Sequence, residues 1–450
     1  PLAGIEPGVS WVKHRRLSTR HPRAEKCEGR RKCTEARLEV LVCGRDPLAV
    51  IPAGMLFLLT APLALSTPAR PQPMLVREFL EPAAITAANA VSSVELELPS
   101  TLATAAVESS FVSTGVVAQA GVPPIVLLHS FDSSCLEWRR VLPLLEAEGL
   151  EAYAVDILGW GFTDTRSVRS VSVAAKRAHL YAFWRQHLHE RPALFVGSSL
   201  GAAAVVDFSS AHPDAVAAVV CLDPQAFIEG TPPVPAFAAR GGVRLLRSWP
   251  LRSLGQKIAY EDGARCDTDD AIRVGRAHCA REKWEDDAIE WLLGGGYRVA
   301  TLVPQLRATR CLILWGRQDR VLPAKDALGQ FARALPDATF RWVEDCGHVP
   351  HLEQPRVTVD AIAAFLRGQP VDGDADISAV LAASASDPLA QLNAFLDRPL
   401  LDTNVRGGPL EPFKRFARSE PEAAQVLASV VVVGAFLLVA RVAVEVARSL

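Results

Sequence analysis

The sequence predicts an α/β domain, a mainly parallel sheet with helices on both faces and a helical insertion over one edge. Three observations lead there. Short apolar runs with β-branched members recur between helical stretches. A Gly-Ser-Ser-Leu-Gly turn, residues 197–201, stands between one such run and a helix. Residues 223–309 contain helical material but no clear buried strand.

The apolar runs come first. Ile125–Leu128 follows Pro123 and Pro124 and is bounded beyond by polar residues, the signature of a strand buried on both faces. Similar runs occupy residues 151–155, 193–196, 217–222, 311–315 and 339–343. Helical patterns at 135–148, 171–187 and 324–334 separate them, and this alternation argues for a parallel sheet covered on both faces. Within 223–309, helical patterns cover 236–246, 269–281 and 284–293. An insertion of that size reads as a cap, about 225–305, over the sheet's active edge. The alternative is an extra helical layer with no role there. The core ends with a helix at 357–367, so the domain is drawn at 111–368.

Composition sets the broad class. The chain has 450 residues, 49% hydrophobic and 22% charged, enough for an ordinary globular core. Its 48 Lys and Arg against 50 Asp and Glu give a net charge of −2, without the basic excess of nucleic-acid binders. Nine cysteines are scattered without a C-x-x-C pair, which argues against a zinc site. Cys221 and Cys311 lie inside apolar runs, where thiols behave as small hydrophobes, so a reducing compartment is favoured over a disulfide framework.

The ends differ from the middle. Residues 1–54 are basic, with Arg15, Arg16, Arg30, Arg31 and Lys32, and lack an apolar period. Met55 opens an apolar run to Leu65, too short to span a bilayer but of the length of a signal core or a stretch of transit peptide. Residues 1–110 are therefore expected to be a disordered targeting leader, or in part sequence upstream of a start at Met55. After residue 368 a Gly/Pro/Asp-rich linker leads into short helical patterns, together 369–422. Residues 426–440 carry no charge, but fifteen helical residues cover only ~22 Å of a ~30 Å hydrocarbon core. With Ala423 and Ala424 added, 423–450 is a candidate membrane-anchor helix; the alternative is an apolar helix docked on protein.

The chemistry centres on Ser199. It is the middle residue of Gly197-Ser198-Ser199-Leu200-Gly201, directly after the strand and directly before a run of small apolar residues that reads as a helix. A nucleophile on a sharp strand-to-helix turn needs small neighbours, and the helix N-terminus offers free N–H groups to a developing oxyanion. A serine hydroxyl also needs a base. In this arrangement the chain order is Ser, acid, His. Asp319 follows the strand 311–315 and His348 follows the last strand, so both land at the same sheet edge as Ser199. His348 would take the Ser199 proton, and Asp319 would fix the imidazole tautomer. Asp223 is a rival acid and His351 a rival base. His129-Ser130-Phe131-Asp132 follows the first buried strand, so the backbone N–H groups of Phe131 and Leu200 could converge on one oxygen. The loop Asp156–Asp164, with Gly159, Trp160 and Gly161, suits a tight turn near the same edge and is given no catalytic role.

Together these motifs resemble the α/β-hydrolase family over roughly residues 110–368. In finer detail, the stretches beginning at His129 and Asp156 look like a plant and algal branch of capped hydrolases. The resemblance implies an eight-stranded, mostly parallel sheet, a helical cap, and neither cofactor nor metal. It implies cleavage of an ester or related acyl bond through an acyl-serine. It also implies a plastid location, membrane-anchored if the tail inserts; another organelle or the cytoplasm is the alternative. One departure is Ser130, where the family commonly has Gly.

The expected substrate is therefore a small apolar or lipid-like ester. Phe227, Phe237, Trp249, Trp284 and Trp291 either line its pocket or pack the cap's own core. A non-catalytic membrane-associated scaffold, or a lyase or acyltransferase using the same triad, are the alternatives. Dehalogenases and epoxide hydrolases are disfavoured because they carry Asp where Ser199 stands.

Overall fold

Each of the six apolar runs between residues 125 and 343 becomes a strand of one sheet. The computed structural model describes residues 77–117, 120–227, 236–262, 268–322 and 324–371. Its strands are β1 (Ser92–Leu96), β2 (Val107–Ser113), β3 (Ile125–Leu128), β4 (Ala152–Val155), β5 (Ala193–Ser198), β6 (Val216–Leu222), β7 (Cys311–Gly316) and β8 (Thr339–Val343). They form one eight-stranded sheet in the order β1-β2-β4-β3-β5-β6-β7-β8. β2 runs antiparallel to both of its neighbours, and the remaining pairs are parallel.

The continuous apolar runs are explained by burial on both faces. Val126, Leu128, Phe195, Val219, Ile313 and Trp315 pack into one core. Their alternate neighbours, among them Ile125, Leu127, Leu194, Val196, Val220 and Leu312, pack into another. That is the period-two consequence of a pleated strand with a core on each side.

Helices cover the sheet. Those of the main layer are α1 (Pro82–Asn89), α2 (Leu142–Ala147), α3 (Val173–Ala182) and α4 (Leu200–Ala211). The cap inserted between β6 and β7 contributes α5 (Ala236–Leu246), α6 (Trp249–Ala259), α7 (Thr268–Arg276) and α8 (Trp284–Leu293). The domain closes with α9 (Ala324–Ala334), α10 (Pro350–Glu353) and α11 (Pro355–Leu366). Helix α6 was not expected; Pro250 and the internal Gly255 weaken its local signal. The expected 135–148 helix divides into a 3₁₀ turn, Cys135–Trp138, and α2, while 171–187 is α3 continued by a π-helical turn.

The expected domain start at residue 111 is corrected. β1 and β2 pair with each other, and β2 joins β4, so the fold already includes residues the sequence assigned to a disordered leader. The signal was hidden because these are the sheet's antiparallel end and carry buried polar groups. Ser109 accommodates His179 at 2.9 Å, and the Ser110 N–H reaches Thr163 Oγ1 at 3.1 Å. Ahead of them, the Asp270 carboxylate on α7 accepts the N–H groups of Leu80 (2.8 Å) and Glu81 (2.7 Å). The Glu81 carboxylate in turn pairs with Arg139 (2.7 Å) and Arg140 (2.5 Å).

Among the described residues no helix is long and apolar enough to cross a membrane. The leader through residue 76, most of the linker and the candidate anchor at 423–450 lie outside those residues. Cys135, Cys221, Cys279, Cys311 and Cys346 are buried free thiols.

Candidate active site

The register of the sheet brings the loops to one edge. Leu128 pairs with Gly197, Ser198 with Leu222, and Gly316 with Val343. The segments that follow β3, β5, β6, β7 and β8 therefore leave the sheet side by side.

Ser199 occupies the single residue between β5 and α4, with φ 51° and ψ −113°. Such a conformation costs a non-glycine residue of order 1–3 kcal/mol and persists only where its surroundings impose it. Here the Ser199 N–H donates to Leu222 O at 2.8 Å. Ser199 O accepts from Ala202 N and Gln225 N, each at 3.1 Å. Gly201 lets the helix start lie on the end of β3: a Cβ there would come within 2.6 Å of His129 O and collide with Leu128 O. A Cβ on Gly197 would strike the Gly201 backbone.

The other two expected residues meet this serine. His348 Nε2 lies 2.9 Å from Ser199 Oγ, and His348 Nδ1 lies 2.9 Å from Asp319 Oδ2. Asp319 Oδ2 also accepts Trp315 Nε1–H at 2.9 Å, while Oδ1 accepts the N–H groups of Val321 (2.7 Å) and Leu322 (3.1 Å). The carboxylate is thus fixed by its own strand and loop. The His348 N–H donates to Ala259 O at the end of α6 at 2.7 Å, which ties the histidine loop to the cap.

The rival residues have other partners. Asp223 is fully buried with φ 43°, and its Oδ1 accepts the Gly316 N–H at 2.9 Å. Burial and the neighbouring Asp319 charge push its carboxyl well above the usual carboxylate range, so it holds its proton. His351 Nε2 lies 3.0 Å from Glu137 Oε1, and its ring packs on Trp138.

Glu137 also holds Ser130, accepting its N–H at 3.1 Å and its hydroxyl at 2.6 Å. Burial would raise the Glu137 carboxyl, but His351, His129 and the Ser130 hydrogen bond bring it down to about 2. The left-handed residue of this loop is Asp132, at φ 47°, and not Ser130, so the position occupied by Gly in the family does not demand one here. Among the described residues the N–H groups of Phe131 and Leu200 have no hydrogen-bond acceptor. His129 lies beneath as scaffold: Nδ1–H reaches Ser130 O (2.7 Å), Nε2 accepts Ile157 N–H (3.0 Å), and burial lowers its pKa. The Asp156 loop is scaffold too, its carboxylate accepting the N–H groups of Cys135 (2.6 Å) and Phe162 (2.7 Å).

Ser199 and His348 open onto a cavity of about 240 Å³ whose apolar wall includes Phe131, Leu246, Leu251 and Val274. Of the aromatics expected either to line the pocket or to pack the cap, Phe227, Trp249, Trp284 and Trp291 do not line this cavity. Trp291 lies against Trp160 and Tyr297, and Phe227 against Phe331. Trp284 is buried, and Trp249 stacks beneath the Arg276 guanidinium. The Phe237 side chain lies outside the described residues.

Two groups of metal-ligand type occur among the described residues, Asp223–Asp319–His348 and Asp132–His278–Cys279. In the first, both Asp319 oxygens are already engaged. In the second, the Arg252 guanidinium touches Asp132 and lies 3.3 Å from Cys279 Sγ, and its fixed charge opposes a cation. Glu137 and Arg252 carried no sequence signal, because their partners are distant or lack a motif.

A family model described as the alpha/beta hydrolase family matches residues 125–361, just over half the chain. The chain belongs to the α/β hydrolase family. One relative of this hydrolase chain is the Arabidopsis thaliana alpha/beta hydrolase domain-containing protein VTE7, 39% identical and covering 55% of this chain and 74% of its own. Another is the human monoacylglycerol lipase ABHD6, 23% identical over 54% of this chain and 75% of its own. The fold is shared with a thermophilic esterase from Thermogutta terrifontis, at a TM-score of 0.51 and 20% identity, over 62% of this chain and 98% of the esterase.

Proposed function

We propose that the chain is a serine hydrolase that cleaves an ester or related acyl bond of a small apolar or lipid-like substrate. The observation that carries this reading is the unbroken hydrogen-bond chain from Asp319 through His348 to Ser199, 2.9 Å at each link, at the floor of a largely apolar cavity. The human relative named as a monoacylglycerol lipase supports an apolar ester. The basic leader and the likeness to a plant hydrolase support a plastid location.

The chemistry follows from the geometry. Ser199 Oγ attacks the acyl carbon while its proton passes to His348 Nε2, and the carbonyl electron pair moves onto oxygen. The N–H groups of Phe131 and Leu200 receive that oxyanion; losing a donor of this kind costs about 10²–10³ in rate. Collapse of the intermediate breaks the bond to the alcohol, which leaves with the proton from Nε2. Water then gives a proton to the same nitrogen and attacks the acyl-serine; as this second intermediate collapses, its bond to Ser199 Oγ breaks, Oγ takes the proton back from Nε2 and the acid is released. Asp319 keeps the Nδ1–H in place and stabilises the imidazolium.

A fluorophosphonate probe tests this reading. Wild type should label and Ser199→Ala should not, with hydrolysis of a short aryl ester lost in parallel. A folded wild type that neither labels nor turns over any ester in a graded chain-length series would refute it.

A further inference from the structure

The mechanism leaves unexplained a buried cluster in which the cap grips one residue of the loop that carries Phe131. Asp132, the next residue along, is 3% exposed and left-handed. Its Oδ1 accepts His278 Nε2–H at 2.9 Å and Trp284 Nε1–H at 2.8 Å. Its Oδ2 accepts Arg252 Nη2–H, and its main-chain oxygen accepts Arg252 Nη1–H at 3.2 Å.

All three donor residues belong to the cap. Arg252 is on α6, His278 lies in the 3₁₀ turn Ala277–Ala280, and Trp284 begins α8. Arg252 also donates to Leu246 O (2.8 Å) at the end of α5 and to Gly275 O (3.0 Å) on α7. One guanidinium therefore gathers the cap helices around a carboxylate that is not part of the cap. On its other side the same loop is held by Glu137 through Ser130. Phe131 lies between these two anchors.

We propose that Asp132 is a positioning residue through which the seated cap sets the Phe131 N–H at the oxyanion hole, so that the hole is complete only when Arg252, His278 and Trp284 hold this carboxylate. This rests on the serine-hydrolase reading above. The physical basis is buried, charge-assisted hydrogen bonding, which fixes geometry more firmly than neutral pairing. Burial works against a charged His278, but Cys279 and Asp132 beside it raise its pKa to about 9, in keeping with the Nε2–H that it donates to Asp132 beside Arg252.

A device that positions an oxyanion donor should affect the transition state more than the bound substrate. The full chain is assayed with a short aryl ester and with an aryl trifluoromethyl ketone, whose serine adduct carries an oxyanion. Asp132→Ala is expected to lower kcat by about 10²-fold and to weaken the ketone by a similar factor, with KM changed by less than about threefold. Arg252→Met should act in the same direction, and the double variant should lose less than the sum of the two, because both remove one interaction. Trp284→Phe removes a single donor and serves where Asp132→Ala does not fold; a drop in kcat of about threefold to tenfold is expected. Wild-type kcat in a folded Asp132→Ala variant, or equal losses in ketone and product affinity, would overturn the inference. If wild type itself fails to label with fluorophosphonate, it is the serine-hydrolase reading that falls.

Discussion

Asp223 and Asp319 bring two carboxyl groups together behind the His348 ring, and it is Asp319 that bonds the imidazole. Their ligand atoms and those of His348 lie within 4.8 Å of one another. Asp223 holds its proton because it is buried and faces the Asp319 charge; Glu353 adds a smaller push in the same direction. Removing that charge makes ionisation of Asp223 easier and leaves a second acid beside the ring. Asp319→Asn should therefore lower kcat by about 10²–10³, less than the ~10⁴ typical of an isolated triad acid. Asp223→Asn alone should stay within about tenfold of wild type, and the double variant should fall at least about tenfold below Asp319→Asn. Steady-state kinetics on one ester decide it: a double variant no worse than Asp319→Asn gives Asp223 no part.

Glu137 links acid sensitivity to the loop carrying Phe131. Its carboxyl is held at about 2 in the folded chain, against an ordinary value of 4.5. A depressed carboxylate contributes stability that is complete above the unfolded value and is lost as pH falls toward the folded one. Here the window runs from about pH 5 down to about 2, and the contribution is on the order of 3 kcal/mol. Glu137→Gln should be less stable at pH 7 and should lack this part of the acid slope in thermal melts between pH 3 and 7. His351→Ala, which removes the ring facing the Glu137 carboxylate, should lower the melting temperature while retaining turnover, whereas His348→Ala should lose turnover with little change in melting. The reverse pattern for the two histidines would exchange their roles.

The turn around Ser199 leaves no room for a methyl group at Gly201. Gly201→Ala would press its Cβ into the end of β3, against backbone atoms that cannot turn aside. Loss of labelling by fluorophosphonate is expected, with destabilisation of about 3 kcal/mol or more in urea unfolding. Gly241→Ala on α5, where nothing lies within 4 Å of the added carbon, is the control and should be neutral or slightly stabilising.

The sequence made most of this site legible because its chemistry follows strand ends. Ser199, Asp319 and His348 each sit just beyond an apolar run, and a parallel sheet sends such positions to one edge. Ser130 was legible as a departure but not in its consequence, since Glu137 and His351 compensate through contacts no motif records. Helix α6 was missed because Pro250 and Gly255 mask its period, and with it went Arg252, whose partner Asp132 lies 120 residues away. β2 was missed because its buried Ser109 and Ser110 look like solvent-facing residues until His179 and Thr163 are beside them, and β1, partly exposed at the sheet's end, went with it. The packing of Trp284 and Trp291 could not be separated from pocket lining by composition, because either use calls for the same side chains.

The Asp270 grip on the Leu80 and Glu81 amides, with Glu81 pinned by Arg139 and Arg140, reaches beyond packing. It fastens a segment near the start of the described residues to the cap above Ser199. A cut in the chain a few residues past Glu81 would release the cap from that mooring and let the chamber over Ser199 open more freely, whereas a cut upstream of residue 77 would spare it.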